Sequence, residues 1–468
     1  METHLHTGAS ASIHINSGSS PVGGLPPTLE GPIEEFGPVG TATCHVRASH
    51  GTRDDDAHRP HPRSTGDLAT FTGRPDMSRD GAIAGLPLRG QPLDATAPAF
   101  AIAVRPARLP SAMKLTTIQP ARHPHPTTKA SALAYLIFDR PDLDEAEHFL
   151  NDFGLRTVRR DDTQLLLRGT GTAHFCYVVR QAPKARFVGF GLRVDSRADL
   201  DALASVPGAS KVEASDWPGG GNRVRLTDPS GFRVDAIAGQ TRADTLPHRA
   251  PLPFNSVDAP VRINDTQRPP ASAPEVIRLG HVVLELADFQ ATCAWYTQHF
   301  GFIPSDVQVL PDGSPAVAFM RLDLGDRPAD HHTLALAQGF VPTYSHSAYE
   351  LVDADAVGMG QRMLRDSGWT HAWGIGRHIL GSQIFDYWQD PWGDKHEHYC
   401  DGDLFTANEP TGVHAVSREA MAQWGPTMPR SFTKPRFTPS SLAALFRNLR
   451  RSPDLTLSKL LTLAKLFA

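Results

Sequence analysis

Residues 131–154 read SALAYLIFDRPDLDEAEHFLNDFG, and residues 277–301 restate the phrase as IRLGHVVLELADFQATCAWYTQHFG. In the first copy, Ser131 to Phe138 is a short apolar run of the kind that makes a buried strand. Asp142 then stands at a helix N-cap, ahead of Leu143, Ala146, Phe149, Leu150 and Phe153 at helical intervals, and Gly154 supplies a left-handed stop. In the second copy Ile277 to Leu286 is the strand, Asp288 the cap, Phe289, Cys293, Tyr296 and Phe300 the apolar face, and Gly301 the stop. One strand-helix phrase occurring twice marks an internal repeat and divides the chain into halves.

Working outward, each half closes on a matching turn. Asp228-Pro229-Ser230-Gly231-Phe232-Arg233-Val234-Asp235 and Asp390-Pro391-Trp392-Gly393-Asp394-Lys395-His396-Glu397 both read as a tight turn feeding a strand. A further strand and helix fit Phe187 to Val194 and Ser196 to Leu203 in the first half, and Ser345 to Leu351 and Asp355 to Asp366 in the second. Each half therefore reads as two βαβββ units. The fold class is α+β, with an N-terminal domain over residues 131–240 and a C-terminal domain over 276–405. Residues 241–275 carry seven prolines, which lack a backbone donor and oppose both helix and central strand, so they predict an extended linker.

The flanks read differently. Residues 1–112 hold 13 Gly, 13 Pro and 7 His with no sustained apolar period, the mark of a disordered leader. Met113 offers an alternative start of translation, followed by an extended arm over 113–130. The spacing of His4, His6, His45, His50, His58 and His61 is too irregular for a metal tract. Residues 406–468 form a tail in which Leu442, Leu445, Phe446 and Leu449, then Leu457, Leu460, Leu461 and Leu463, predict two basic amphipathic helices broken at Pro453 and packed on the protein's own body or a partner subunit, with loose association with anionic lipid as the alternative.

At 468 residues the chain exceeds one ordinary domain, and 21% charged residues with a net charge of -4 give no field for nucleic acid. No secretory signal and no long apolar stretch occurs, so neither export nor stable membrane insertion is expected. Cys44, Cys176, Cys293 and Cys400 form no Cys-x-x-Cys pair, which argues against a thiolate zinc site or a disulfide framework. A cytoplasmic homo-oligomer is the expectation.

Chemistry concentrates in the second half. Gly280-His281-Val282-Val283-Leu284-Glu285, Ser345-His346-Ser347-Ala348-Tyr349-Glu350 and His396-Glu397-His398-Tyr399 put metal-ligand side chains on strands. Two histidines and a carboxylate are the complement of a facial triad, which holds Fe(II) and leaves positions open. Side chains alternate along a strand, so if Glu397 points inward then His396 and His398 point away, and Glu397 is the better ligand. Taken singly, each of these is more often a hydrogen-bonded core residue. Their placement at equivalent points of consecutive units changes that, together with His331-His332-Thr333-Leu334-Ala335, Gly376-Arg377-His378 and Tyr387.

Residues 131–405 resemble the type I extradiol ring-cleavage dioxygenases of the vicinal oxygen chelate superfamily. The most specific stretch is Gly376 to Glu397, where His378 lies nine residues before Tyr387 and Glu397 ten after it, intervals that family keeps. The resemblance implies His281, His346 and Glu397 as ligands of Fe(II), with Mn(II) possible, and His332, His378 and Tyr387 as catalytic residues around them. It implies a catecholic substrate and O2, with ring opening beside the diol to a muconic semialdehyde-type product. Asp386, where the family is usually apolar, and Gly381, where some relatives carry Asp, bear on the substrate. Aligning the halves puts Ala134, Val188 and Asp235 opposite His281, His346 and Glu397, so the first half is expected to bind no metal. A metal-dependent isomerase or thiol transferase on the same fold would need the metal but not His332, His378 and Tyr387 together. A metal-free binder of aromatic ligands would need neither. Trp373, Phe385, Trp388 and Trp392 are candidates to wall an aromatic pocket, while His299, His371, His396 and His398 read as surface or packing residues.

Overall fold

The computed structural model describes residues 115, 117–418, 421–433 and 439–467. The expected leader over 1–112, its histidines, Cys44 and the start proposed at Met113 lie outside the described residues.

The first half holds two βαβββ units. One comprises β1 (Ala130–Arg140), α1 (Leu143–Asp152), β2 (Arg156–Arg160), β3 (Gln164–Arg168) and β4 (Tyr177–Gln181). The other comprises β5 (Arg186–Val194), α2 (Arg197–Leu203), β6 (Glu213–Ala214), β7 (Asn222–Thr227) and β8 (Arg233–Ala238). Residues 241–275 carry neither helix nor strand. The second half repeats the plan with β9 (Val276–Leu286), α3 (Phe289–Phe300), β10 (Ile303–Val309), β11 (Pro315–Arg321), a short β12 (Ala329–Asp330) and β13 (Leu334–Gln338). Its second unit runs β14 (Thr343–Leu351), α4 (Ala354–Asp366), β15 (Thr370–Arg377), β16 (Ile384–Gln389) and β17 (Lys395–Cys400). β18 (Leu404–Phe405) follows at the end of the domain, and β19 (Gly412–Ala415), α5 (Pro439–Arg451) and α6 (Leu457–Phe467) lie in the segment read as tail.

Each half is one mixed sheet in which the two units join through an antiparallel pair of their first strands. The first sheet has eight strands in the order β2-β3-β4-β1-β5-β8-β7-β6, the second nine in the order β15-β16-β17-β14-β9-β13-β11-β10-β19. The added strand is β19, which pairs in parallel with β10 and so continues the sheet past residue 405.

Local sequence accounts for most boundaries. Asp142 and Asp353 accept backbone N–H bonds at the starts of α1 and α4, and Ser196 with Asp199 forms a capping box on α2. Gly301 ends α3 with φ 67°. Asp288 departs from the expectation: it makes no side-chain cap bond and instead pairs with Arg451 at 2.8 Å. The free N–H of Gln290 goes to Asp454 of the tail at 2.8 Å, so the helix is capped from the far end of the chain.

The halves share a core, sealed by polar pairs at the two Asp-Pro turns. Tyr296 donates to Asp228 at 2.9 Å, and Arg140, its side chain 1% exposed, reaches both Asp390 and Asp394 at 2.8 Å. His396 meets the Tyr177 hydroxyl at 2.9 Å, and His398 donates to the Phe153 carbonyl at 2.7 Å. Both histidines are thus buried packing residues on the outer face of β17, as alternation requires. The tail also packs on this body: Ser452 donates to the Ala287 carbonyl, Asn448 to that of Phe340, and Leu463 joins Leu310, Ala316 and Val416.

Candidate metal centre

Strand pairing brings the proposed ligands together. Ala348 on β14 is the register partner of both His281 on β9 and Glu397 on β17, and His346 lies two residues before it on the same face. His281 Nε2 is 3.2 Å and His346 Nε2 3.4 Å from Glu397 Oε2, and one donor atom from each residue falls within 4.8 Å of the others. Glu397 is fully buried, yet neither carboxylate oxygen accepts a hydrogen bond of normal geometry among the described residues. A carboxylate so placed costs several kcal/mol without a counter-charge. Burial alone would raise its pKa, but contacts with His281 and His378 hold it well below the usual carboxylate range. Burial drives the His346 imidazole far below its ordinary value, more than the nearby Glu397 restores. Two imidazoles and one carboxylate converging on one point fit a divalent cation.

The three remaining candidates stand on the same cavity. His332, just before β13, has its ring centroid 4.0 Å from that of His281. His378, just after β15, receives structure from both sides. Its Nδ1 donates to the Met421 carbonyl at 2.8 Å, which leaves Nε2 to accept the Tyr387 hydroxyl at 2.9 Å. The same Nε2 is 3.6 Å from Glu397 Oε1. Tyr387 on β16 pairs directly with Glu397, and its phenol is pushed far up first by burial and then by that carboxylate. Trp373 stacks on Tyr387 and Phe385 on His378, backing both polar groups with rings.

Beyond these, sequence reading missed a buried polar array. His332 Nδ1 lies 3.0 Å from His331 Nδ1, His331 Nε2 donates to Asp306 Oδ2 at 2.7 Å, and His414 Nε2 donates to Asp306 Oδ1 at 2.7 Å. The doublet His331-His332 was the only local signal. Asp306 on β10 and His414 on β19 join it through a strand pairing that no motif announces. Burial opposes ionisation of Asp306, but the hydrogen bonds from His331 and His414 bring its carboxyl down to about 2.

Asp386 departs from its expected bearing on the substrate. Tyr387 points inward, so Asp386 points out, where it accepts from His371 and Trp388, each at 2.7 Å. Trp388 shares that outward face, and Trp392 packs on Arg140, so neither walls the cavity. Gly381 has φ 83°, and a Cβ there would stand 3.0 Å from His331 Nδ1, so it bears on the histidine array. In the first half Asp235 occupies the place of Glu397, but Arg233 and Tyr135 already satisfy it at 2.7–2.9 Å. Ala134 and Val188 offer no donor.

The cavity over the trio has a volume of about 820 Å³ and is walled by β9, β10, β11, β13, β14 and β16 and by tail residues including Met421, Met428, Phe432 and Leu463. No described helix is long and apolar enough to cross a membrane.

Comparison with known proteins bears on the same stretch. Residues 278–397 match the family described as Glyoxalase/Bleomycin resistance protein/Dioxygenase superfamily. The chain is 28% identical over 314 residues to Metapyrocatechase 2 of Cupriavidus necator, covering 66% of this chain and 93% of that one. It resembles the solved Mn(II)-bound glyoxalase of Novosphingobium aromaticivorans with TM-score 0.56, at 24% identity over 67% of this chain and 97% of the other. Homoprotocatechuate 2,3-dioxygenase of Arthrobacter globiformis superposes with TM-score 0.55, at 24% identity over 68% of this chain and 95% of that one. These likenesses show an extradiol dioxygenase-like α+β fold.

Proposed function

We propose that the protein is a non-haem Fe(II) extradiol dioxygenase that opens a catecholic ring beside its diol, with both atoms of O2 entering a muconic semialdehyde-type product. The observation that carries this reading is the fully buried Glu397 carboxylate, unsatisfied by hydrogen bonds and facing His281 and His346, with three further acid-base groups on the same cavity. The name of the metapyrocatechase relative supports it. Held by His281, His346 and Glu397, a ferrous ion would acidify a chelating diol and bring dioxygen beside it. Mn(II) suits the same donors.

The protein's own groups define the proton path. His331 donates from Nε2 to Asp306, and in the proposed tautomer its Nδ1 accepts from the Nδ1 of His332. The Nε2 lone pair of His332 then faces the cavity. Burial, reinforced by His281 and the other nearby imidazoles, holds His332 well below its usual pKa and so keeps it neutral. It is a base ready to take a hydroxyl proton and later to return it. Tyr387, whose proton goes to His378, presents its oxygen to a substrate hydroxyl, and the pair orients the ring. Asp306, His331 and His414 act through His332 and are positioning residues. The described cysteines, Cys176, Cys293 and Cys400, are unpaired and buried, which suits a reducing cytoplasm, and a homo-oligomer is the expected assembly.

The test is anaerobic reconstitution with Fe(II), then a panel of catechols followed by an O2 electrode and by absorbance of the yellow product. No O2 uptake with any diol, despite bound iron, refutes the dioxygenase and leaves the isomerase or transferase reading. Glu397→Ala is expected to lose tight iron binding; retention of iron would overturn the ligand assignment.

A further inference from the structure

The catalytic reading uses one end of the cavity and leaves the other unexplained. His281, Val283 and Glu285 alternate inward along β9, and all three line the cavity. At about 3.3 Å per residue, Glu285 stands roughly 13 Å along the strand from the ligand. A single catechol ring chelated at the metal end falls well short of that distance.

The far end is mostly apolar, with the amide side chains of Gln308 and Gln338 at strand positions level with Glu285. Ala316, Val416, Phe340 and Leu463 line it, and Ala316, Val416 and Leu463 belong with Leu310 to one cluster of side chains at most 7% exposed. Leu463 comes from α6, so this helix, which the catalytic reading does not use, supplies part of the wall. Before that wall stands a carboxyl, Glu285, and burial raises it while Lys395 pulls the other way. The cavity's arginine, Arg430, is exposed on the tail segment near Phe432.

We infer that the substrate is a catechol bearing an extended apolar substituent without a carboxylate, with the substituent held between Glu285 and the wall that α6 completes through Leu463. The inference rests on the dioxygenase reading for the diol end alone. Apolar walls recognise the substituent by its area, and one methylene in such a pocket is worth about 10- to 200-fold in discrimination. A substrate carboxylate at that depth would meet a carboxyl.

The probes are catechol, catechols carrying a phenyl group on carbon 3 or carbon 4, and 3,4-dihydroxyphenylacetate. Binding to the metal-free protein is measured by calorimetry, and kcat/KM is measured on the Fe(II) enzyme. At least one phenyl compound is expected to exceed catechol about tenfold or more in both measurements. Leu463→Trp, and independently Ala316→Leu, should erase most of that ratio by shortening the far end. Glu285→Gln should improve relative use of the carboxylated probe. Equal binding of catechol and the phenyl compounds overturns the inference, as does a preference for dihydroxyphenylacetate that Arg430→Ala abolishes. If no diol is turned over but the phenyl advantage in binding persists and is lost in both narrowing variants, the apolar subsite stands and the dioxygenase reading falls.

Discussion

Replacing Asp306 with leucine tests whether the buried histidine array sets the working form of His332. Asp306 accepts from His331 and from His414, each at 2.7 Å, and its carboxyl is held at about 2 against an ordinary 3.8. A depression of just under two units, at 1.36 kcal/mol per unit, makes the ionised carboxylate worth about 2 kcal/mol to the folded state. Because the folded pKa is the lower one, that stability is present in full above the unfolded value and is lost as pH falls through about 2, with roughly half gone near pH 3. Asp306→Leu should therefore cost about 2 kcal/mol in chemical denaturation at pH 7, and the gap to the parent should narrow towards pH 3. Without the carboxylate, His331 has no acceptor for its Nε2 proton and no reason to keep Nδ1 free. His332 then loses the partner that turns its lone pair to the cavity. Bound iron should be retained, KM should move little, and kcat should fall roughly 10- to 100-fold, less than the 10²- to 10⁴-fold that removal of an acid-base group itself can cost. Full turnover in a folded, iron-loaded Asp306→Leu enzyme would refute the array's role. A stability loss that does not shrink on acidification would refute its electrostatic account.

Two other perturbations probe how the halves and the tail hold the site. Arg140→Met leaves Asp390 and Asp394 facing each other at the domain junction, and should destabilise by about 3 kcal/mol; a loss below about 1 in urea unfolding would show that the pair adds little. Asp454→Ala removes the acceptor for the Gln290 N–H and should cost about 1 kcal/mol, whereas Asp288→Ala, at the N-cap position itself, should cost less because it caps nothing. The reverse order in thermal unfolding would return the cap to Asp288.

Much of the fold was legible because it is local. Strands and helices follow from apolar period, caps and glycine stops, and the repeat doubles each signal, so four βαβββ units could be read from residues 131–138 and their echo at 277–286. The ligand strands were legible in part for the same reason: alternation puts Glu397 on the face opposite His396 and His398, and the structure shows the two histidines at the domain junction. Alternation likewise turns Asp386 away from the cavity, since its neighbour Tyr387 points in.

What the chain could not announce is whatever depends on partners distant in sequence. Asp306 and His414 are ordinary strand residues until β10 and β19 pair and place both beside His331. Met421 contributes only a carbonyl to His378, a group every residue has. Asp454 and Leu463 act from a tail whose amphipathic pattern says that it packs and not where. Sequence by itself determined the repeat, the α+β class and the residue types of the candidate centre, because each is written in short-range periods and spacings. Only the tertiary structure decided the distance between donors, the contact between His331 and His332 and the depth of the cavity, because these depend on which backbone lies across from which.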